Sequence, residues 1–285
     1  MDNPSKKKTH KQDFVYAGKT QTEILFEEPS NNNPYISQKN YIHGYDVVEL
    51  VEKKRFVDTL LLLFTGELPS DMHASLLERL MVALINLGPR HPAVKASMVA
   101  GVSKTSPEHL LPIGLSVLGG KDNGAQEVEQ AVKFLLKNIS LPAEDIALQL
   151  IKNSKIMQNE GEVHISPGFG NYYGSVDSFT KNIANSVLSP FEAGNGEVDY
   201  ISWGTTFAKH LNNHNMGILK TGLAAMVFCQ LGIAARESIG LYQLICAPGI
   251  FAHGAEQTHK PITAMPMLSD EQHVYTFEPP IRDNS

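Results

Sequence analysis

This 285-residue chain predicts an all-α fold of roughly ten or more helices. Three observations predict it: apolar residues recur at helical spacing along most of the chain, capping and breaking residues punctuate those runs, and period-two alternation is scarce. Hydrophobic residues make up 42% and charged residues 19%, ordinary values for a globular protein with a sizeable core.

Residues 1–33 are polar, end in Asn31-Asn32-Asn33-Pro34, and read as a flexible tail carrying the basic run Lys6–Lys8 and Lys11. Asp46 then caps a helix, with Glu49 completing a capping box and Val47, Leu50, Val51, Val57, Leu60 and Leu61 on its apolar face. Gly66 and Pro69 end it. Ser70–Leu87 forms the next helix, closed by Gly88-Pro89. Further helices are expected at about 92–103, 107–118, 123–137 and 143–157, with Pro107 and Pro142 in first turns. Around 160–176 a Gly-rich polar loop interrupts the pattern. Helices resume at about 177–187, 201–212, 215–231, 235–246 and 248–258, and the Pro-containing end from Lys260 is expected to be extended.

The balance of charge excludes one class of partner. A net charge of −6 argues against a general nucleic-acid binder, which needs clustered Lys and Arg for phosphate contacts. The uncharged stretches 221–235 and 238–252 are too short to span a bilayer and read as core helices, so no membrane association is expected. The start lacks an apolar signal region, and Cys229 and Cys246 lie in apolar helical patterns as buried thiols. A cytoplasmic protein is the expectation.

The loop at 160–176 contains P-G-F-G-N-Y-Y-G, residues 167–174. Glycines around Phe169 allow close backbone approach and present Asn171, an amide that hydrogen-bonds but transfers no proton near neutral pH. The alternative is a surface turn.

Several stretches, in this order, resemble the citrate synthase superfamily. Y-I-H-G-Y-D at 41–46 and L-L-L-L-F-T-G-E-L-P at 60–69 are similar to its opening R-G-Y-x-I and L-L-x-G-x-L-P. G-G-K-D-N-G-A-Q-E at 119–127 is similar to G-P-x-H-G-G-A-N-E, and G-F-G-N-Y-Y at 168–173 to G-F-G-H-R-V-Y. L-N-N-H-N-M-G-I at 211–218 stands where the family has V-D-F-Y-S-G, and G-I-F-A-H-G-A-E-Q at 249–257 resembles G-W-x-A-H-x-x-E-Q. The matches span about residues 41–261, and the chain is near the citryl-CoA lyase branch in length.

This resemblance implies a discontinuous large helical domain, 34–138 with 211–285, and a smaller helical domain inserted at 139–210. It implies a homodimer with sites in a cleft between domains, a small acid or keto substrate, and a coenzyme A thioester as co-substrate, with no tightly bound cofactor. It also marks departures. The position of the enol-supporting His is Asp122, that of the second His is Asn171, and that of the carboxylate base is Asn213. The carboxylate-binding arginines fall on Tyr172, Cys246 and Lys260. A phenol or thiol binds carboxylates far less well than a guanidinium, so a working citrate synthase is not expected.

Asp122 with His214, which a one-residue register shift brings into the cleft, forms a candidate base–acid pair. The bland alternatives are a helix cap for Asp122 and a solvated helix end for His214. His91 lies near the family's substrate-binding His and reads equally as a helix-start residue. His43 reads as structural, and His253 with Glu256 as a pair satisfying each other or nearby backbone. His210 and His214 have zinc-helix spacing, but Leu211 stands where the motif needs Glu, so no metal is expected. Trp203 and Phe207 read as core. Two functions remain: a divergent enzyme making or breaking a C–C bond beside a thioester, or a silent homologue serving as a ligand sensor or partner subunit.

Overall fold

The computed structural model describes residues 21–154, 163–191, 198–274 and 276. The readings made for Lys6–Lys8 and Lys11, for the helix beyond 154 and for the Pro-containing end beyond 276 lie outside the described residues. Those described form eleven α-helices, three 3-10 turns and two three-stranded antiparallel sheets, so the fold is mostly α as expected. None of the helices is long and apolar enough to cross a membrane. The chain divides into two compact units, Met1–Leu68 and Pro69–Ser285.

In the first unit, β1 (Leu25–Ser30) pairs antiparallel with β2 (Asn33–Ile42) across a turn at 31–32, and β2 pairs with β3 (Tyr45–Asp46). The sequence placed all of β1, with the first residue of β2, in a flexible tail at 1–33. Both strands are largely solvent-facing, so they carry little of the buried alternation that reveals a strand, and Pro29 falls at a register break. His43 adopts φ +46° at the β2–β3 turn, and its ring lies beside Gly66.

The helix expected from Asp46 is two helices, α1 (Val47–Lys53) and α2 (Phe56–Thr65). Asp46 caps α1 by accepting from the Val48 and Glu49 amides. Lys54 and Arg55 are extended, and the break is locally satisfied: the Arg55 amide and guanidinium both bond the Asp58 carboxylate at 2.9–3.1 Å. Gly66, at φ +78°, ends α2 in the left-handed region.

The second unit begins with α3 (Asp71–Leu84), capped by the Ser70 hydroxyl on the His73 amide. Then follow α4 (Pro92–Val102), α5 (Pro107–Leu118), α6 (Ala125–Asn138) and α7 (Ala143–Asn153). The expected loop at 160–176 contains two strands, β4 (Val163–Ser166) and β5 (Phe169–Asn171). After α8 (Ser178–Leu188) and α9 (Tyr200–Leu211), β6 (Gly217–Ile218) joins β5, pairing Phe169 with Ile218. The predicted helix from 215 therefore starts late, as α10 (Lys220–Gln230). Asn215, at φ +57°, turns the chain out of the helical path first.

Every residue of α10 from Thr221 to Cys229 is buried, the fate of a helix apolar all round. The last helix, α11 (Ala235–Gln257), is continuous where the sequence predicts two helices, 235–246 and 248–258, and it contains Pro248. Proline removes one donor, and the next amide, Gly249, leaves the helix ladder to bond the Ile85 carbonyl at 2.9 Å. The interruption is thus absorbed by α3's C-terminal flank. Helix α11 packs on α4, α5 and α6, while α10 packs on α6 and α9. The α4–α11 approach is close: a Cβ on Gly101 would lie 2.2 Å from the Gly254 carbonyl. Phe134, Phe169, Trp203 and Phe207 form an aromatic cluster, with the last two rings stacked at 5.2 Å, confirming a core role for that pair.

Candidate functional site

The glycine-rich stretch and the G-F-G loop meet on one carboxylate. Glu127 lies in the first turn of α6 and reaches back so that Oε2 accepts from the Asn123 amide at 2.9 Å. Its other oxygen, Oε1, accepts from the Gly168 amide at 3.1 Å. That amide is brought close because Gly168 adopts φ +79° and its backbone lies against Gly222, where a Cβ would sit 2.6 Å from the Gly222 Cα. Two side chains complete the shell. His164 Nδ1, on β4, lies 3.1 Å from Oε1, and the Tyr172 hydroxyl lies 3.4 Å from Oε2. The His164 and Tyr172 rings meet edge to face at 5.5 Å.

The Glu127 side chain is only 4% exposed, against 26% for His164. Burial pushes its carboxyl up. Hydrogen bonds from His164, Gly168 and Asn123, with the nearby His164 charge, outweigh burial and hold it below the usual range. It is an ionised, buried acceptor.

His91 has both ring nitrogens committed to the backbone. Nδ1 accepts from the Ala93 amide at 3.2 Å, so Nε2 carries the proton of the neutral ring and donates to the Asn123 carbonyl at 2.9 Å. Burial is the chief cause keeping its pKa below 6.5; the Asn123 contact opposes this and the Lys220 charge adds to it. His91 is thus the cap of α4, with Pro92 following it. Lys220, the first residue of α10, exerts its charge on His91, Asp177 and Cys246 and forms no ion pair among the described residues. Tyr242, on α11 beside Cys246, is fully buried with a hydroxyl that has no partner of good geometry. Burial pushes the Cys246 thiol up to about 12, and Cys229 likewise, so both stay protonated; neither is in a disulfide.

Asn171 is 4% exposed and its amide is engaged at both ends. Nδ2 donates to the Asn215 carbonyl at 2.9 Å, and Oδ1 accepts from the Gly174 amide at 3.0 Å. It therefore ties the G-F-G loop to the turn containing Asn213. Asn213 and His214 themselves are exposed in the 3-10 turn Asn212–His214. Asp122 is exposed and does not cap α6, since Gly124 holds that position. Among the described residues no hydrogen bond or ion pair joins Asp122 to His214. Lys260 pairs with Glu256 at 2.6 Å, and its carbonyl accepts from Lys104. The expected His253–Glu256 partnership is replaced: His253 contacts Asn86 at 3.2 Å, because Lys260 lies one turn beyond Glu256 and takes that carboxylate. His210 lies 3.6 Å from Glu144.

The structure brings Glu127, Tyr172, His91 and Cys246 into one region and adds His164, Lys220 and Tyr242, which the sequence reading did not single out. Glu127 was the last letter of a motif read for Asp122. His164 carried no signal, because its partner is 37 residues away on another element.

The arrangement of helices is that of the citrate synthase-like fold. A search of family models and one of curated proteins match nothing. Among solved structures, a citryl-CoA lyase from Hydrogenobacter thermophilus is similar at TM-score 0.71 and 22% identity, over 92% of this chain and 96% of that one. An ATP citrate lyase from Methanothrix soehngenii, solved with citrate and coenzyme A, is similar at TM-score 0.65 and 15% identity. The match covers 91% of this chain but 44% of that one. A citrate synthase from Thermoplasma acidophilum, solved with carboxymethyl coenzyme A and oxaloacetate, is similar at TM-score 0.57 and 16% identity, over 79% and 58% of the two chains.

Proposed function

We propose that this chain is a divergent citrate synthase-like enzyme that makes or breaks a C–C bond beside a coenzyme A thioester, in the manner of a lyase or acyltransferase, and is not a working citrate synthase. In this reading the other substrate is a small acid or keto compound and no cofactor is tightly bound. The protein works in the cytoplasm as a homodimer, with the large domain built from 34–138 and 211–285 around an inserted 139–210. The observation that carries the proposal is the junction at Glu127. Segments far apart in sequence, 119–127, 163–174 and residues of α11, gather ionisable groups around one buried carboxylate. A buried charge costs several kcal/mol to desolvate unless fully bonded, and here four groups, the Asn123 and Gly168 amides, His164 and Tyr172, converge to bond it.

A specific observation favours the second reading, a silent homologue that binds a ligand or partner subunit. Asp122, Asn213 and His214 are all exposed, and Asn171 is occupied by backbone. Thermal unfolding with coenzyme A, acetyl-CoA, propionyl-CoA and succinyl-CoA tests the proposal. A ligand at a hundredfold excess over its dissociation constant stabilises the native state by about 2.7 kcal/mol. At least one thioester is expected to raise the melting temperature in a concentration-dependent way. No shift with any of them removes the acyl-CoA reading.

A further inference from the structure

We propose that the cavity between α3 and α8 is a binding site for a free aromatic α-amino acid. The cavity measures about 480 Å³, within the range of about 300–1,000 Å³ usual for small-molecule sites. Its walls are largely apolar: Val82 of α3 faces it with Phe179, Ile183 and Val187 of α8. Val82 is 70% exposed and Phe179 64%, so two large apolar side chains meet water along one groove. Glu127's described partners, Asn123, His164, Gly168 and Tyr172, all lie elsewhere, and the proposal does not rest on the acyl-CoA function.

Charge decides which ligand suits those walls. Glu78 and Arg79 of α3 line the same cavity. Among the described residues Glu78 has no hydrogen bond or ion pair, and Arg79 has one bond, from Nη1 to the Ser186 carbonyl at 3.2 Å. That bond carries the guanidinium from α3 to the last turn of α8 and leaves most of its five donors unused. An anion and a cation without charged partners beside an apolar groove complement a ligand that bears both charges at one end. An α-amino acid has that form: its carboxylate meets Arg79, its ammonium meets Glu78, and its side chain lies on Val82, Ile183 and Phe179. An apolar carboxylic acid satisfies only Arg79 and sets its anion beside Glu78. Length selects the aromatic class. Phe179 and Ser186 stand about two turns apart on α8, roughly 10 Å along its axis. A ligand held at the Arg79 end needs a long, flat side chain to reach the Phe179 ring, where a second ring packs offset or edge-on.

Isothermal titration of the full chain with L-phenylalanine and L-tryptophan tests the proposal, the tighter of the two being compared with its deaminated acid and its decarboxylated amine. At least one amino acid is expected to bind, and both analogues to bind at least about 10-fold more weakly, since each forgoes a charge-assisted contact. Glu78→Gln is expected to weaken the amino acid while leaving the deaminated acid no weaker than in the wild type. Arg79→Gln is expected to weaken the amino acid and the acid but not the amine, and Phe179→Ala to weaken all three. Arg79→Gln also removes the bond to α8; should that variant fail to fold, the exposed positions Glu78 and Phe179 carry the test. Absence of binding by either amino acid up to about 10 mM overturns the proposal. So do analogues that bind as tightly as the amino acid, which make the groove merely apolar. Affinity unchanged in both Glu78→Gln and Phe179→Ala places the ligand elsewhere and overturns it as well.

Discussion

At the scale of single residues, Asn171 shows how an amide without acid–base capacity earns its position. Its two ends hold two backbone groups, Asn215 carbonyl and Gly174 amide, in a setting nearly closed to water. Asn171→Ala leaves both unsatisfied and is expected to cost about 1–3 kcal/mol in denaturant unfolding. Asn171→Asp is expected to cost more, since it keeps the acceptor but turns a carboxylate oxygen toward the Asn215 carbonyl. An Asp variant as stable as the wild type would sink this account. The sequence singled out Asn171 on the strength of the glycines around Phe169. What it does there was not legible, because both partners are set by the fold of β5 and the 212–215 turn. Glu127 was legible only as a letter in a motif. His164 was not legible at all, since a lone histidine in a polar stretch has no spacing to read.

At the scale of elements, the boundaries most visible in the sequence were those with local chemistry. Asp46, Ser70 and Gly66 act at helix ends through bonds to residues two to four positions away, and each stands where the sequence put it. The readings that failed depended on distant partners. Two helices, 235–246 and 248–258, were read where there is one, because Ile85 takes up the Gly249 amide and α11 continues through Pro248. The 163–171 stretch was read as loop because strands of three and four residues gain their order from pairing, β4 with β5 and β5 with β6, not from propensity. Gly170 is the tightest point of that pairing: a Cβ there would lie 1.9 Å from the Val163 carbonyl. Gly170→Ala must therefore push β4 away from β5, and with it His164, which pairs with Gly170 across the ladder. A loss of at least about 2 kcal/mol in stability is expected, in the range of overpacked cores. If the Gly170→Ala protein unfolds at the wild-type denaturant midpoint, the β4–β5 contact is looser than described.

At the scale of the whole molecule, two of the buried ionisable groups, His91 and Glu127, shape how stability follows pH, and they act with the same sign. His91 has a native pKa below its ordinary 6.5, chiefly from burial. Its contribution is therefore fully present above 6.5 and is lost as pH falls from there toward the native value, because the unfolded chain takes up the proton first. Glu127 has a native pKa below its ordinary 4.5, because hydrogen bonds outweigh the burial that opposes them. Its contribution is present above 4.5 and is lost as pH falls through the native value. Unfolding free energy is thus expected to decline in two stages on acidification, the first beginning near pH 6.5 and the second below about 4.5. Equilibrium denaturation at half-unit steps from about pH 7.5 to about pH 2.5 measures both. His91→Gln is expected to be less stable throughout, since it loses the α4 cap or its Asn123 contact, yet to lack the first stage while keeping the second. A His91→Gln protein that still loses stability between pH 6.5 and 5.5 as steeply as the wild type would assign that stage to another of the eleven histidines.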